Sequence, residues 1–475
     1  MGDPLEDARA EEVLRSTVEA ALDYLRSVGD RPVRAGTADA TARSFGGALP
    51  EDGIGSPAAL EQLVGGLDGA HTSAGPRFFH FVTGGVTPAA LAADWLASAI
   101  DQNSFSWVSS PLGGQLEVTA VRWLLDLFDL PASWGGILTT GATTANFTAL
   151  AAARSWWAEQ HGVDVDRDGL TGSPALPPMP IWSSGHVHPS ATKALAMLGL
   201  GRDGVERLVV DGDDTGSIDL DALARRLSTS GPSLVIANAG EVNAGLFDPI
   251  AAMADLCEEH GAWLHVDGAF GLFARVAPET APLAAGVERA HSVIADGHKW
   301  LNVPYDCGFS FVREPARLAS AFTLAAAYLP ADDQPNFGYL GPESSRRARS
   351  LAVWASLMAY GRSGYRAMVE RHLALARRLA ARVDAAPDLE LLAPATLNIV
   401  CFRYAPPGSD SDLDALDALN ERLGAAVNDD GRVMFGTTRF RGMTAFRPAI
   451  TNWRTTEPDV DLVADVVREL GPGLV

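Results

Sequence analysis

Residues 262–271 read AWLHVDGAFG, and residues 295–308 read ADGHKWLNVPYDCG. The first is a short apolar run that ends in Asp267 and is closed by glycine. Such a run reads as a strand buried in a parallel sheet, and open α/β sheets bind ligands at the C-terminal ends of their strands. The second places Lys299 after His298 and the turn-forming pair Asp296–Gly297. Lysine stands only at positions 193 and 299, and arginine supplies the other cations. Arginine cannot shed a proton to become a nucleophile, whereas an ammonium group can when its pKa is lowered. A lone lysine is ordinarily a solvated surface group. One that follows a strand-end aspartate points instead to a Schiff base with an aldehyde. In an α/β enzyme the usual aldehyde is pyridoxal 5′-phosphate, whose ring nitrogen needs a carboxylate beside it. Asp267 suits that place. Ala269, two residues on and so on the same strand face, leaves room for a flat ring. Lys193 falls within a helical stretch with no neighbouring turn and is the weaker candidate.

A chain of 475 residues exceeds one simple core and predicts two or three domains. Hydrophobic content of 47% with 20% charged residues is that of a soluble globular enzyme. The net charge of −22 argues against nucleic acid and anionic membranes as partners, since both would repel it. Cys257, Cys307 and Cys401 are widely spaced with no CxxC, which argues against a disulfide framework or a metal site. The N-terminus is acidic and helix-like, without a signal peptide, and no apolar stretch is long enough to span a membrane. The cytoplasm is the expected location.

Apolar side chains at helical spacing in residues 4–28 (Leu5, Val13, Val18, Leu22, Leu25) predict an amphipathic arm within an N-terminal segment, 1–85. From 86 to 360, strands and helices alternate. Strands are expected at Ile137–Thr140, Met179–Trp182, Arg207–Val210, Leu234–Asn238, Trp263–Asp267, Ser292–Ala295 and Gly308–Val312. That alternation predicts an α/β domain with a mostly parallel sheet covered on both faces. The remainder, 361–475, reads as a small α+β domain. It has helices near 364–384, 411–427 and 457–470, and strands at Leu397–Tyr404 and near 432–435 and 443–448. Asp164–Pro180 and Asp332–Pro342 are Gly-, Pro- and Asp-rich loops, either plain connections or lids.

In residues 135–157, GGILTTGATTANFTALAAARSWW, a strand passes through a glycine turn into an alanine-rich helix. Backbone N–H groups at that helix start, with the Thr143 hydroxyl, form an anion site that needs no basic residue. Residues 183–199, SSGHVHPSATKALAMLG, carry His186 and His188, either of which could lie flat on a ring and titrate near neutrality.

The ordered strings GPRFFHFVTGG (75–85), SFSWVSSP (104–111), TTGATTAN (139–146), GHVHPSATKAL (185–195), AGEVNAGLFDPI (239–250), HVDGAFG (265–271), DGHKWLNVPYDCG (296–308) and NWRTTEPDVD (452–461) resemble the group II pyridoxal-dependent amino-acid decarboxylases. That family includes the aromatic-L-amino-acid, histidine and glutamate decarboxylases. The resemblance implies a fold type I, aspartate-aminotransferase-like architecture and a homodimer with sites at the subunit interface. By it, Lys299 is the covalent cofactor anchor and Asp267 the ring-nitrogen carboxylate. His188 is the ring-stacking histidine. Ala142 and Thr143 are the phosphate pair, with His298 a further phosphate contact and Thr83 a cofactor-side threonine. Tyr339 is the loop tyrosine that delivers a proton, with Tyr328 as the alternative. The chain departs from the pattern at Gly240–Glu241–Val242, where relatives often carry small hydroxyl residues, and at Asp296, which is asparagine in some of them.

The function so implied is loss of CO₂ from an L-amino acid to give its amine. The segments Phe78–Phe81 and Phe105–Trp107 favour an aromatic side chain. An acidic or diamino substrate stays open, Glu241 favouring a cationic one. Oxidative conversion to an aldehyde, a carbon–carbon or carbon–sulfur lyase, and a non-catalytic cofactor-binding protein are the rival classes.

Overall fold

The protein is described here by a computed structural model covering residues 9–172, 176–323, 334–409 and 412–475. Its strands are β1 (Phe78–Phe79), β2 (Gly135–Thr139), β3 (Ile181–Ser183), β4 (Val205–Arg207), β5 (Leu234–Asn238), β6 (Trp263–Asp267), β7 (Ser292–Asp296), β8 (Gly308–Val312), β9 (Leu389–Leu391), β10 (Phe402–Tyr404), β11 (Met434–Phe440) and β12 (Met443–Arg447). Among the described residues they form a seven-stranded sheet in the order β2-β8-β7-β6-β5-β3-β4 and a five-stranded sheet in the order β1-β11-β12-β10-β9. In the larger sheet β8 runs antiparallel to both neighbours, and the other pairs are parallel. Strands β5 to β8 are buried at every residue, because helices cover both faces of the sheet.

The main helices are α1 (Ala10–Ser27), α2 (Pro88–Ile100), α3 (Pro111–Leu127), α4 (Ala142–Glu159), α5 (Pro189–Met197), α6 (Ile250–His260), α7 (Ser350–Asp384), α8 (Leu413–Asp430) and α9 (Glu457–Leu470). Helix α7 is interrupted at Gly361, which has non-helical backbone angles. A buried ion pair ties α3 to β2. Arg346 Nη2 lies 2.6 Å from Glu117 Oε1 and donates to Leu138 O, and the same carboxylate accepts Leu138 N–H. Among the described residues no helix is long and apolar enough to cross a membrane.

Among the elements that differ from their sequence-based expectation, three bear on how the chain is connected. The strand expected at Arg207–Val210 is Val205–Arg207, because beyond Leu208 the chain leaves β3 and Val210 N–H turns to Ser217 O. Phe78–Phe79 pairs in parallel with Met434–Phe435, so the N-terminal segment lends a strand to the C-terminal sheet. Within the expected strand Leu397–Tyr404 only Phe402–Tyr404 is paired as a strand, with Ile399 making an isolated bridge to Ala449. Residues 1–8 of the expected arm lie outside the described residues.

Two side chains fix the turn after β7. Trp300 is fully buried and donates through Nε1 to His372 Nδ1 at 2.8 Å, while His372 Nε2 donates to Asn452 O at 3.0 Å. Asn302 Oδ1 accepts from Gly85 N and Trp453 N, both at 3.0 Å, and its Nδ2 donates to Thr451 O at 2.9 Å. The segments near residues 85 and 452 therefore meet at this turn.

His372 is held neutral, since Nδ1 accepts and Nε2 donates. Burial pushes it down to about 3, and burial likewise pushes His265 and His291 down to about 4. A histidine depressed in the folded state gives stability that is present above the unfolded value near 6.5 and is lost as pH falls toward the folded value. Each such ring should lower stability by up to about 1.4 kcal/mol per pH unit in that window. Denaturant melts from pH 7 to 4 should show a steep loss, and His372→Gln should flatten that slope whatever its effect at pH 7. An unchanged slope in the variant would contradict the assignment.

Candidate active site

The strands β2, β3, β5, β6 and β7 share one direction, so their C-terminal ends lie along a single edge of the sheet. Each delivers a polar group there. Gly141–Thr143 follow β2, His188 follows β3, Gly240–Glu241 follow β5, Asp267 ends β6, and Asp296–Lys299 end β7. A cavity of about 200 Å³ at this edge is lined by residues that include His186, His188, Asp267, Ala269, Lys299 and Arg447.

Lys299 sits on a single π-type turn, Gly297–Leu301, a geometry often found at functional sites. Its Nζ lies 3.0 Å from Asp296 Oδ2. Asp296 is buried, and its Oδ1 has no hydrogen-bond partner among the described residues. His298 Nε2 is 3.6 Å from Asp296 Oδ2, and burial lowers the His298 pKa. Gly84 packs against the same turn so closely that a Cβ there would fall 1.8 Å from Lys299 O, which places Thr83 beside it. The Thr83 hydroxyl is 3.4 Å from Tyr305 OH, and the Tyr305 ring stacks on His298 with centroids 4.2 Å apart.

Asp267 is buried at the end of β6. Its Oδ2 accepts from Asn146 Nδ2 at 2.9 Å and its Oδ1 from Ala269 N at 3.1 Å, so the carboxylate is held by two donors. His188 precedes α5 and caps it, with Nδ1 accepting from Ser190 N at 3.1 Å and lying 2.7 Å from Ser190 Oγ. Nδ1 is thus occupied as an acceptor and Nε2 carries the proton. Burial lowers the His188 pKa and keeps the ring neutral near pH 7. His186 behaves oppositely. Burial would lower it, but Asp248, with Oδ1 3.2 Å from Nδ1, wins and holds it above its ordinary value.

Helix α4 begins at Ala142 with no side-chain cap, and Gly141 before it has φ 155°, outside the usual range of an L side chain. The first-turn N–H groups, including those of Ala142 and Thr143, are left as donors for an anion. A Cβ on Gly141 would meet His298 Cε1 at 3.0 Å, so His298 adjoins the same cradle. The donor set suits a flat, phosphorylated, basic heteroaromatic aldehyde: an uncapped helix start, a fixed carboxylate, a planar neutral imidazole and one amine.

Lys299, Asp267, Ala269 and His188 line one cavity; Thr83, Ala142, Thr143 and His298 are not among its lining residues, with Gly84 after Thr83 packed on Lys299 and Gly141 before Ala142 packed on His298. Lys193 is exposed on α5 and is not among the cavity's lining residues. Tyr339 is not brought into the cavity of its own chain. Gly338 N–H donates to Phe105 O at 2.8 Å, Phe337 is buried, and the Tyr339 ring packs edge-on against Phe105 with centroids 5.3 Å apart. Residues 334–342 of the expected lid are therefore anchored, whereas Tyr328, Asp332 and Asp333 lie outside the described residues. Of the two aromatic segments only Phe81 lines the cavity; Phe79 belongs to the core of the five-stranded sheet. Glu241 lines it too, but its carboxylate turns back to accept from Asn243 N at 2.7 Å and from Ala244 N. Asn146, His265 and Arg447 escaped sequence reading. The alternation Trp263–His265–Asp267 was the available signal for His265, and nothing local marks Arg447.

A model of the pyridoxal-dependent decarboxylase conserved domain matches residues 65–405. The chain is 30% identical to an aromatic-L-amino-acid decarboxylase of Bacillus atrophaeus over 93% of its own length and 91% of the relative's. It is 32% identical to an L-2,4-diaminobutyrate decarboxylase of Rhizobium meliloti (strain 1021), over 89% and 84% respectively. The crystal structure of Oryza sativa TDC with PLP and tryptamine superposes with a TM-score of 0.89 at 24% identity, covering 100% of this chain and 99% of that one. The protein belongs to the pyridoxal-dependent decarboxylase family, a fold type I, PLP-dependent amino-acid carboxy-lyase.

Proposed function

We propose that the enzyme decarboxylates an aromatic L-amino acid, with Lys299 as the covalent anchor of the cofactor, Asp267 as its ring-nitrogen partner and His188 against its face. Bound pyridoxal phosphate supplies an electron-accepting ring conjugated to the substrate nitrogen. Asp267, oriented by Asn146 and the Ala269 N–H, holds a proton on the ring nitrogen. The uncapped start of α4 holds the phosphate, with Ala142, Thr143 and His298 around it and Thr83 on the opposite segment. His188 keeps a proton on Nε2 and lines the cavity, which supports it as a proton donor. Tyr339 reaches a reacting atom only by leaving Phe105 or by serving the cavity of a partner subunit.

Arg447 is buried beside this cavity, donates to Phe81 O at 2.9 Å, and has no ion-pair partner among the described residues. Burial lowers its pKa more than the nearby Glu241 charge restores it, and a buried cation with no contact ion pair suits an anionic ligand. The substrate carboxylate is that anion. Because its charge disappears as CO₂ leaves, the contact favours binding more than the chemical step. The observation that carries the aromatic assignment is the posture of Glu241. Each of its oxygens accepts a backbone N–H, which turns the carboxylate toward its own turn and weakens its claim on a side-chain ammonium. Phe81, Val82, Val242 and Phe270 provide an apolar wall.

Holoenzyme incubated with phenylalanine, tyrosine, tryptophan, 2,4-diaminobutyrate and glutamate should release CO₂ and amine fastest from an aromatic member. Preference for the diamino acid would sink this reading. Arg447→Met should raise KM by about tenfold or more while changing kcat less.

Borohydride reduction followed by peptide mapping should place the cofactor on Lys299, and Lys299→Ala should abolish the label; a label on Lys193 would contradict the anchor. Asp267→Asn should retain cofactor but lose about 10²–10³ in rate. In the same series His188→Gln should slow amine release more than Tyr339→Phe, and the reverse ranking would return proton delivery to the loop.

The active form is proposed to be a homodimer. Trp95, Leu96 and Ile100 on α2, Leu112 on α3 and Met358 on α7 leave large apolar side chains exposed, as an interface requires. Sedimentation should give twice the 50.0 kDa chain mass, and a stable active monomer would refute it.

A further inference from the structure

Beneath the cavity a chain of buried polar groups has only one consistent direction. Trp263, His265 and Asp267 alternate along β6 and so project to the same face. Trp263 Nε1 can only donate, and it donates to Ser292 Oγ at 2.9 Å. The Ser292 hydroxyl proton then points to His265 Nδ1, also 2.9 Å away. His265 is fully buried and, with its pKa pushed down to about 4, neutral, so its remaining proton lies on Nε2 and is given to Asn146 Oδ1 at 2.8 Å. That fixes the carboxamide, since the flipped orientation would press Oδ1 against the Asp267 carboxylate. The two N–H bonds of Asn146 go to Asp267 Oδ2 at 2.9 Å and Ser190 Oγ at 3.2 Å. Having accepted there, Ser190 Oγ passes its own proton to His188 Nδ1 at 2.7 Å.

We infer that Asn146, held by His265 and Ser292, is a positioning residue that sets the orientation of the Asp267 carboxylate and the tautomer of His188 together. The inference rests on the reading of Asp267 and His188 as the groups that grip the cofactor. Asn146 and His265 are wholly buried, and neither lines the cavity, so they act through those two side chains. One amide thus couples the group that holds the ring nitrogen's proton to the group that presents a proton at Nε2. Packing alone would be served as well by apolar residues of similar volume. The structure instead uses two serines, an asparagine, a histidine and an indole, every one of them donating in the same sense.

The test is a series of holoenzymes, His265→Leu, His265→Gln and Ser292→Ala, each first shown to be folded by circular dichroism. His265→Leu deletes the donor to Asn146 Oδ1, whereas His265→Gln can restore it through its amide N–H. Ser292→Ala removes a single hydroxyl and serves if His265→Leu does not fold. Two readouts are taken. The first is the protonated nitrogen of His188, read from long-range ¹⁵N–¹H correlations in histidine-labelled protein. The second is cofactor retention against dialysis. His265→Leu and Ser292→Ala should each shift His188 away from pure Nε2–H and release cofactor about tenfold faster or more, with His265→Gln close to wild type. If either readout stays at the wild-type value in a folded His265→Leu or Ser292→Ala protein, or if His265→Gln falls as far as His265→Leu, the inference is overturned. The Asp267→Asn holoenzyme separates this from the underlying reading. Unchanged turnover there removes the role of Asp267, whereas an unchanged His188 signal in His265→Leu removes the coupling alone.

Discussion

The Asn146 carboxamide ties α4 to two other elements, accepting from β6 through His265 and donating to the end of β6 and to α5 through Asp267 and Ser190. No water is needed to complete it, and in so buried a place a misdirected donor would cost about 1–3 kcal/mol. The interaction therefore selects one arrangement of α4 over the sheet, the one that sets the uncapped helix start beside the strand ends. Both proposed grips on the cofactor, the α4 start and the Asp267 carboxylate, inherit their relative placement from that contact.

The lysine is positioned by a separate device. Trp300 is locked into the core by His372, and Asn302 gathers the chain near residues 85, 451 and 453 around the same turn. The aromatic residue after Lys299 is thus a bolt, and the asparagine three residues on is a junction. Segments hundreds of residues apart in sequence meet there because each lends a backbone group to one side chain. Rigidity below and a single amine above is what a covalent cofactor site needs, since the amine must return to one place after each turnover.

Electrostatics in the cavity are divided by burial. His188, His265 and His298 are pushed toward neutrality by desolvation, while Asp248 raises the His186 pKa against its burial. Glu241 is turned back toward its own turn by two backbone N–H groups, and Arg447 feels its charge but makes no contact ion pair among the described residues. The balance of free charge favours an anionic group attached to an apolar side chain.

Much of this was legible in the chain itself. Strands fully buried in a sheet are short apolar runs, so β5, β6 and β8 were read with their observed limits. A lysine kept in an arginine-rich chain, beside a strand-end aspartate, carries its chemistry locally, and the ordered motifs carried the family. Legibility failed where a residue's meaning depends on a distant partner. Phe78–Phe79 reads as a pocket segment but pairs with β11, and Tyr339 reads as part of a lid but is pinned to Phe105. Glu241 reads as a free carboxylate because its hydrogen bonds to its own turn exist only once that turn is folded. Asn146 and Arg447 have no local signature, and His265 only its alternation with Asp267, for a hydrogen-bond direction and a buried charge without an ion pair are properties of a set of side chains in space. Sequence alone determined the fold and the family and singled out one amine, because periodicity and residue chemistry are local. Tertiary structure decided tautomers, unpaired charge and the shape of the cavity, because these arise only when burial removes the alternative partner, water.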